Sequence, residues 1–161
     1  MHVPIHDAKL TFDSPVGAIT LLANGNKVVF LTMGSEITPD FGKSSVLGDA
    51  KKQLISYFKG KSQELTFATE LKGTAFQRSV WKEIGKIGFG EVTTYAEIAK
   101  NIGNPKAVRA VGGAVGSNPV PLIIGCHRVL GASGKITGYS GGDGIPTKRW
   151  LLALEGIETK D

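Results

Sequence analysis

Thr94-Tyr95-Ala96-Glu97-Ile98-Ala99-Lys100-Asn101-Ile102-Gly103-Asn104-Pro105 decides how the second half of this chain folds. Thr94, followed three residues later by Glu97, is a capping box, so a short helix opens at Tyr95 with Tyr95, Ile98, Ala99 and Ile102 on one face. Gly103 closes it, because glycine accepts the left-handed backbone of a helix end without steric cost. Asn104-Pro105 then supplies an N-cap and a first-turn proline, and the pattern predicts a second helix from there to about Gly116. Two short helices across so tight a turn predict a helix-turn-helix.

The second helix has two unlike sides. Val108, Val111 and Val115 give it a core face, while Ala107, Ala110, Gly113 and Ala114 leave the other side almost bare. Glycine inside a helix costs about 1 kcal/mol against alanine, so Gly112, Gly113 and Gly116 imply that something approaches this backbone closely. Another helix or a nucleic acid would need the same small residues, and spacing leaves both readings open. Arg109 is the one long cationic side chain on the bare side. A helix that reads sequence would carry several Arg, Asn or Gln residues, so DNA docked here would be bound with little sequence preference.

Upstream, Thr74-Ala75-Phe76-Gln77 is another capping box, and Phe76, Val80, Trp81, Ile84 and Ile87 continue at helical spacing over about Ala75 to Lys86. The stretch from Ala8 to Met33 is different: period-two, rich in β-branched residues, and broken at Ser14-Pro15-Val16-Gly17 and at Asn24-Gly25. It predicts three short antiparallel strands. A helix over about Ser45 to Lys59 follows, with Val46, Leu47, Ala50, Leu54, Tyr57 and Phe58 on its apolar face and Gly60 as its stop. Leu65 to Ala68 reads as an edge strand or the approach to a linker at Thr69 to Gly73. The fold class is therefore α+β: residues 1–73 form a small antiparallel sheet with a helix, and residues 74–161 a mainly helical domain with the helix-turn-helix. His2 and His6 lack companion ligands at metal-binding spacing and read as part of a polar terminus.

Downstream of Ser117-Asn118-Pro119, the apolar run Val120 to Ile124 contains Pro121, which argues against a central strand and for an extended buried segment. That segment delivers Cys126 against His127 and Arg128. A lone cysteine after apolar residues can be core filling, yet neighbouring cationic and hydrogen-bonding groups raise the thiolate population that a nucleophile requires. Gly131 to Lys135 is a turn, Ile136 to Tyr139 a short extended piece, and Ser140 to Gly144 a mobile glycine-rich wall beside a pocket. Pro146 opens a last helix through Trp150, Leu151, Leu152 and Leu154, which Gly156 ends. Glu155 stands at the negative end of that helix, an unfavourable place for an anion unless a cation or histidine pairs with it.

The whole chain sets bounds on function. Its 161 residues can bury a real core, and its net charge of +5 with a pI near 9.4 suits a polyanionic partner. A single cysteine excludes an intramolecular disulfide and any multi-thiolate metal site; with no signal peptide it points to a reducing compartment. No apolar run reaches the length of a membrane span.

Together these residues resemble the O6-alkylguanine-DNA alkyltransferases, the methylated-DNA–protein-cysteine methyltransferases. The resemblance spans nearly the whole chain. It is carried by Asn118-Pro119-Val120-Pro121 leading to Cys126-His127-Arg128-Val129, by Gly90-Glu91-Val92-Thr93-Thr94-Tyr95, by Arg109-Ala110-Val111-Gly112-Gly113-Ala114, by Gly138-Tyr139-Ser140-Gly141-Gly142, and by Trp150 to Gly156. It implies direct-reversal DNA repair, in which the alkyl group of O6-alkylguanine, with O4-alkylthymine as a further substrate, moves irreversibly to Cys126, once per molecule; the sequence has no cofactor motif, and the metal site that some members carry in the first half is not expected here, where there is no cysteine.

Carried over residue by residue, the resemblance implies that His127 takes the thiol proton through a water and that Glu155 orients His127. Arg109 resembles an arginine finger that enters the base stack as the damaged nucleotide flips out. Tyr95 resembles the residue that helps rotate the phosphate and protonates the leaving guanine, and Asn118 the tie between helix-turn-helix and active-site segment. Tyr139, Ser140 and Val129 would form the substrate pocket. Ala107, Ala110, Gly112 and Gly113, with Arg109 and Tyr95, would meet double-stranded DNA in its minor groove. The expected protein is a monomer, bound to no membrane, and cytoplasmic (nucleoid-associated) or nuclear. One departure stands out: the family usually has proline before the cysteine, and this chain has Gly125. Proline there should stabilise the fold by restricting the unfolded chain.

Overall fold

The computed structural model describes residues 3–62 and 64–159, so His2 lies outside the described residues. Two compact units are present: one comprises the chain up to Leu71 together with Gly141–Asp143, the other Lys72–Ser140 and Gly144 onward.

In the first unit, β1 (Ala8–Phe12), β2 (Ala18–Asn24) and β3 (Lys27–Ser35) form an antiparallel sheet in that order, with Leu10 opposite Leu21 and Leu21 opposite Leu31. Both predicted turns carry glycine in the left-handed region, Gly17 at φ 94° and Gly25 at φ 61°. Gly17 is required twice over, since a Cβ there would lie 2.7 Å from the Cα of Gly34. Helix α1 (Ser45–Phe58) buries the six residues that its periodicity selects, and Gly60, at φ 72°, follows its end. No separate strand forms at Leu65–Ala68; instead Thr69 makes a single parallel bridge to Val28, with the Val28 amide donating to the Ala68 carbonyl at 2.9 Å. His6 Nδ1 donates to the Pro4 carbonyl, 2.9 Å away, and its ring lies against Phe41.

In the second unit, α2 (Ala75–Gly85) begins with both halves of the Thr74–Gln77 capping box in place and buries Val80, Trp81 and Ile84. Strand β4 (Thr93–Thr94) runs parallel to β5 (Val129–Leu130). Helix α3 (Tyr95–Asn101) starts directly from β4, its first turn capped by Thr94, which accepts from the Glu97 amide. Helices α4 (Val108–Gly116) and α5 (Ile145–Leu154) complete the unit.

Three expectations are corrected here. Helix α4 starts at Val108 rather than at Asn104, because Asn104 to Ala107 close a turn of their own through the Ala107 amide and Asn104 carbonyl, 2.9 Å apart. Its buried face is also rotated: Val111, Ala114 and Val115 face inward, while Val108 is 39 % exposed. Ala114 is small because Trp81 packs there, its indole Nε1 donating to the Ala114 carbonyl at 2.8 Å. Finally, Val120–Ile124 is a turn, closed by the Ile124 amide on the Val120 carbonyl at 2.9 Å, with buried Leu122 at φ 76°. A non-glycine residue held there costs about 1–3 kcal/mol, and such strain persists where surrounding packing fixes it.

Candidate active site

The strained turn feeds a second one. Gly125, at φ −72° and ψ 63°, is the centre of an inverse γ-turn in which the Cys126 amide donates to the Ile124 carbonyl at 2.7 Å. Cys126–Arg128 then form a single 3-10 turn. Asn118, just past the end of α4, holds this path in place: its Nδ2 donates to the Ile124 carbonyl at 2.8 Å, and its Oδ1 accepts from the Val120 amide at 3.0 Å. The small residue at 125 also has a local reason, since a Cβ there would stand 3.1 Å from Cδ and Nη1 of Arg128.

Arg128 is fixed because it shares an acceptor with His127. Glu155, immediately after α5, receives His127 Nε2 at 2.6 Å, Arg128 Nε at 2.8 Å, Arg128 Nη2 at 3.1 Å and the Gly90 amide at 3.0 Å. Arg128 Nη1 donates onward to the Ile87 carbonyl at 2.8 Å. Three positive or hydrogen-bonding partners thus offset both the burial of this carboxylate and its place at a helix C-terminus. Burial lowers the pKa of His127 despite the raising effect of Glu155, so the ring is neutral near pH 7. A neutral ring whose Nε2 sits at a carboxylate carries its proton there, which leaves the lone pair on Nδ1. That atom is buried without a hydrogen-bond partner among the described residues.

Cys126 is buried, and desolvation raises its pKa; hydrogen bonding by Asn118, the charge of Lys148 and hydrogen bonding by Tyr139 oppose that rise. The resting group is therefore a neutral thiol beside a neutral base, with several groups placed to favour the thiolate.

Lys148 is the participant that sequence reasoning missed. Its side chain is wholly buried, and Nζ donates to the Val129 carbonyl at 2.5 Å and, more weakly, to the Gly138 carbonyl at 3.5 Å. Burial pulls its pKa down to about 8, with the Cys126 charge acting in the opposite sense. The signal was present: Lys148 shares the helical phase of Leu151, Leu152 and Glu155, all buried. A lysine in an apolar phase is easily discounted as an exposed interruption.

In front of Cys126 lies a cavity of about 420 Å³ that brings together Tyr95, Gly112, Cys126, Tyr139 and Ser140 from the predicted residues, with Thr137 at its wall. Val129 is not part of it; fully buried in β5, it contributes its carbonyl to Lys148 instead. His127, Glu155 and Asn118 are buried and do not line the cavity. On α4, Arg109, Ala110 and Gly113 are exposed, with Ala107 and Gly112 partly so. A Cβ built on Gly112, Gly113 or Gly116 would meet nothing within 4 Å. Close helix packing therefore does not explain these glycines, and the open face is left for an external partner.

Comparison with known proteins agrees in both units. A profile described as 6-O-methylguanine DNA methyltransferase, DNA binding domain, matches residues 75–157, and one described as the ribonuclease-like domain of the same proteins matches residues 9–71. The methylated-DNA–protein-cysteine methyltransferase of Mycobacterium tuberculosis is 46 % identical over 153 residues, covering 90 % of each chain. That of Methanosarcina acetivorans is 44 % identical over 151 residues, covering 90 % of this chain and 96 % of its own. The crystal structure of M. tuberculosis O6-methylguanine methyltransferase is similar at a TM-score of 0.82 and 42 % identity over 95 % of both chains. The M. tuberculosis protein in complex with DNA is similar at a TM-score of 0.80, 46 % identity and 90 % of both chains.

Proposed function

The chain belongs to the 6-O-methylguanine DNA methyltransferase family, and from that premise we propose how its own residues perform the transfer. The protein binds DNA and repairs it by direct reversal, moving an alkyl group from the base to its own cysteine. We assign that cysteine to Cys126. Support comes from one arrangement: a thiol lining an open cavity, followed in the chain by the histidine of the buried His127–Glu155 pair, whose Nδ1 has no hydrogen-bond partner among the described residues.

His127 Nδ1 takes the thiol proton, through a water as the family implies, and Glu155 stabilises the imidazolium that results. The thiolate attacks the alkyl carbon from the side opposite O6; the S–C bond forms as the C–O6 bond breaks, and the electron pair leaves with guanine. Tyr95, at the cavity wall, donates the proton that the departing base requires. The product is a thioether, which a neutral thiol system does not reverse, so each molecule acts once. A stacked base cannot bring its O6 substituent to a buried sulfur, so the nucleotide is flipped into the cavity, with Arg109 filling the stack. The bare face of α4 supports docking of a monomer in the minor groove with little sequence preference, because few side chains there reach base edges.

Intact mass after incubation with O6-methylguanine DNA tests the assignment: one methyl should be gained, on Cys126, at one equivalent per protein. Cys126→Ala should abolish the gain while DNA affinity stays within about twofold. Methyl transfer by that variant would sink the assignment.

A further inference from the structure

We propose that Thr137 is a positioning residue for Tyr95, and that Gly131 exists to seat it. The Thr137 hydroxyl donates to the phenolic oxygen of Tyr95 at 3.1 Å, from a segment 42 residues away in sequence. Both side chains line the cavity that holds Cys126. A hydroxyl has one proton to donate. With its oxygen already accepting from Thr137, the Tyr95 phenol keeps its own proton for a ligand. Thr137 therefore aims Tyr95 and leaves its phenolic proton free to donate.

The aim is set by packing on the other side of Thr137. A Cβ added to Gly131 would lie 2.6 Å from Thr137 Cγ2, so the methyl occupies space that only glycine leaves free. Gly131 is buried with an ordinary φ of −78°, and its amide closes the 131–135 turn on the Lys135 carbonyl at 2.8 Å. Its lack of a side chain is thus a matter of space and not of backbone conformation. Threonine is β-branched and stiff at χ1, so lodging its methyl against Gly131 fixes where its hydroxyl points.

The inference rests on the reading of Tyr95 as proton donor to the departing base, and the test separates the two. Transfer from O6-methylguanine DNA is timed alongside alkylation of Cys126 by iodoacetamide, whose iodide leaving group needs no proton. Thr137→Val should slow transfer about five- to tenfold, the scale of one hydrogen bond, with iodoacetamide reactivity and DNA affinity unchanged, and Thr137→Ser, which keeps the hydroxyl but lacks the seated methyl, should restore it only in part. Gly131→Ala should reproduce the Thr137→Val loss. In a Tyr95→Phe background Thr137→Val should add nothing. Full transfer by Tyr95→Phe would overturn the reading of Tyr95 itself. A slow Tyr95→Phe variant with an unaffected Thr137→Val, or a Thr137→Val effect of equal size in both backgrounds, would overturn the role of Thr137 alone.

Discussion

The two units bury their side chains on opposite terms. Apart from its tyrosine, the first unit buries Thr11 alone among polar side chains of the described residues, whereas the second buries Thr93, Asn118, His127, Thr147, Lys148 and Glu155. A buried polar group costs free energy unless it is paired, so a sequence confined to making a stable sheet has no reason to hold so many. The second unit accepts that cost around Cys126. The difference locates chemistry before any substrate is considered.

The contrast is most open to attack at Glu155. Glu155→Gln leaves buried His127 and part-buried Arg128 without their carboxylate, and should destabilise the fold by about 3–5 kcal/mol and abolish measurable transfer. Thr11→Val in the first unit removes only a 3.3 Å hydroxyl contact with Thr20 and should cost less than about 1 kcal/mol. Urea unfolding of both variants checks this; equal losses would end the distinction between the units.

Lys148 sharpens it through pH. Folded Lys148 releases its proton near pH 8 and the unfolded chain near 10.5, so between those values the unfolded state holds more protons and stability rises with pH. Its contribution is complete above the unfolded value and is lost as pH falls through about 8. Relative to Lys148→Met, the wild type should gain about 2 kcal/mol between roughly pH 7.5 and 9.5, read from urea midpoints at each pH.

Smaller effects belong to the glycines. Gly113 sits exposed in α4 with open space before it, so Gly113→Ala should stabilise by about 0.5–1 kcal/mol while weakening DNA binding severalfold. Melting temperature and DNA affinity must move in opposite senses. Gly125→Pro should change stability by less than about 0.5 kcal/mol. Its φ already suits proline, but the new ring would press on Arg128, which Glu155 and the Ile87 carbonyl hold in place. The stabilisation expected from the chain alone is thus offset by a neighbour only the fold reveals.

Local features were legible where one residue type has one use. The capping residues Thr74 and Thr94 and the stop at Gly60 place their helices because each satisfies backbone groups within a few residues. Periodicity alone misplaces the face of α4, because alanine and valine differ little in a periodic pattern; Trp81, distant in sequence, meets the helix at Ala114, which is buried while Val108 is exposed. The turn at Leu122 was hidden for a related reason, since its positive φ is imposed by surroundings and not by a glycine. At the site, Cys126, His127 and Glu155 announce themselves by type, but Lys148 and Thr137 matter only through what they touch.

The knot at Glu155 carries one more consequence. Its four bonds join the Gly88–Gly90 stretch, the turn bearing Cys126 and the end of the last helix. A nascent or unravelled chain, its terminal helix undocked, carries an ordinary cysteine with no poised imidazole beside it. Arming the reagent and completing the fold are one event, which protects a single-use thiol from being spent before the molecule can find its lesion.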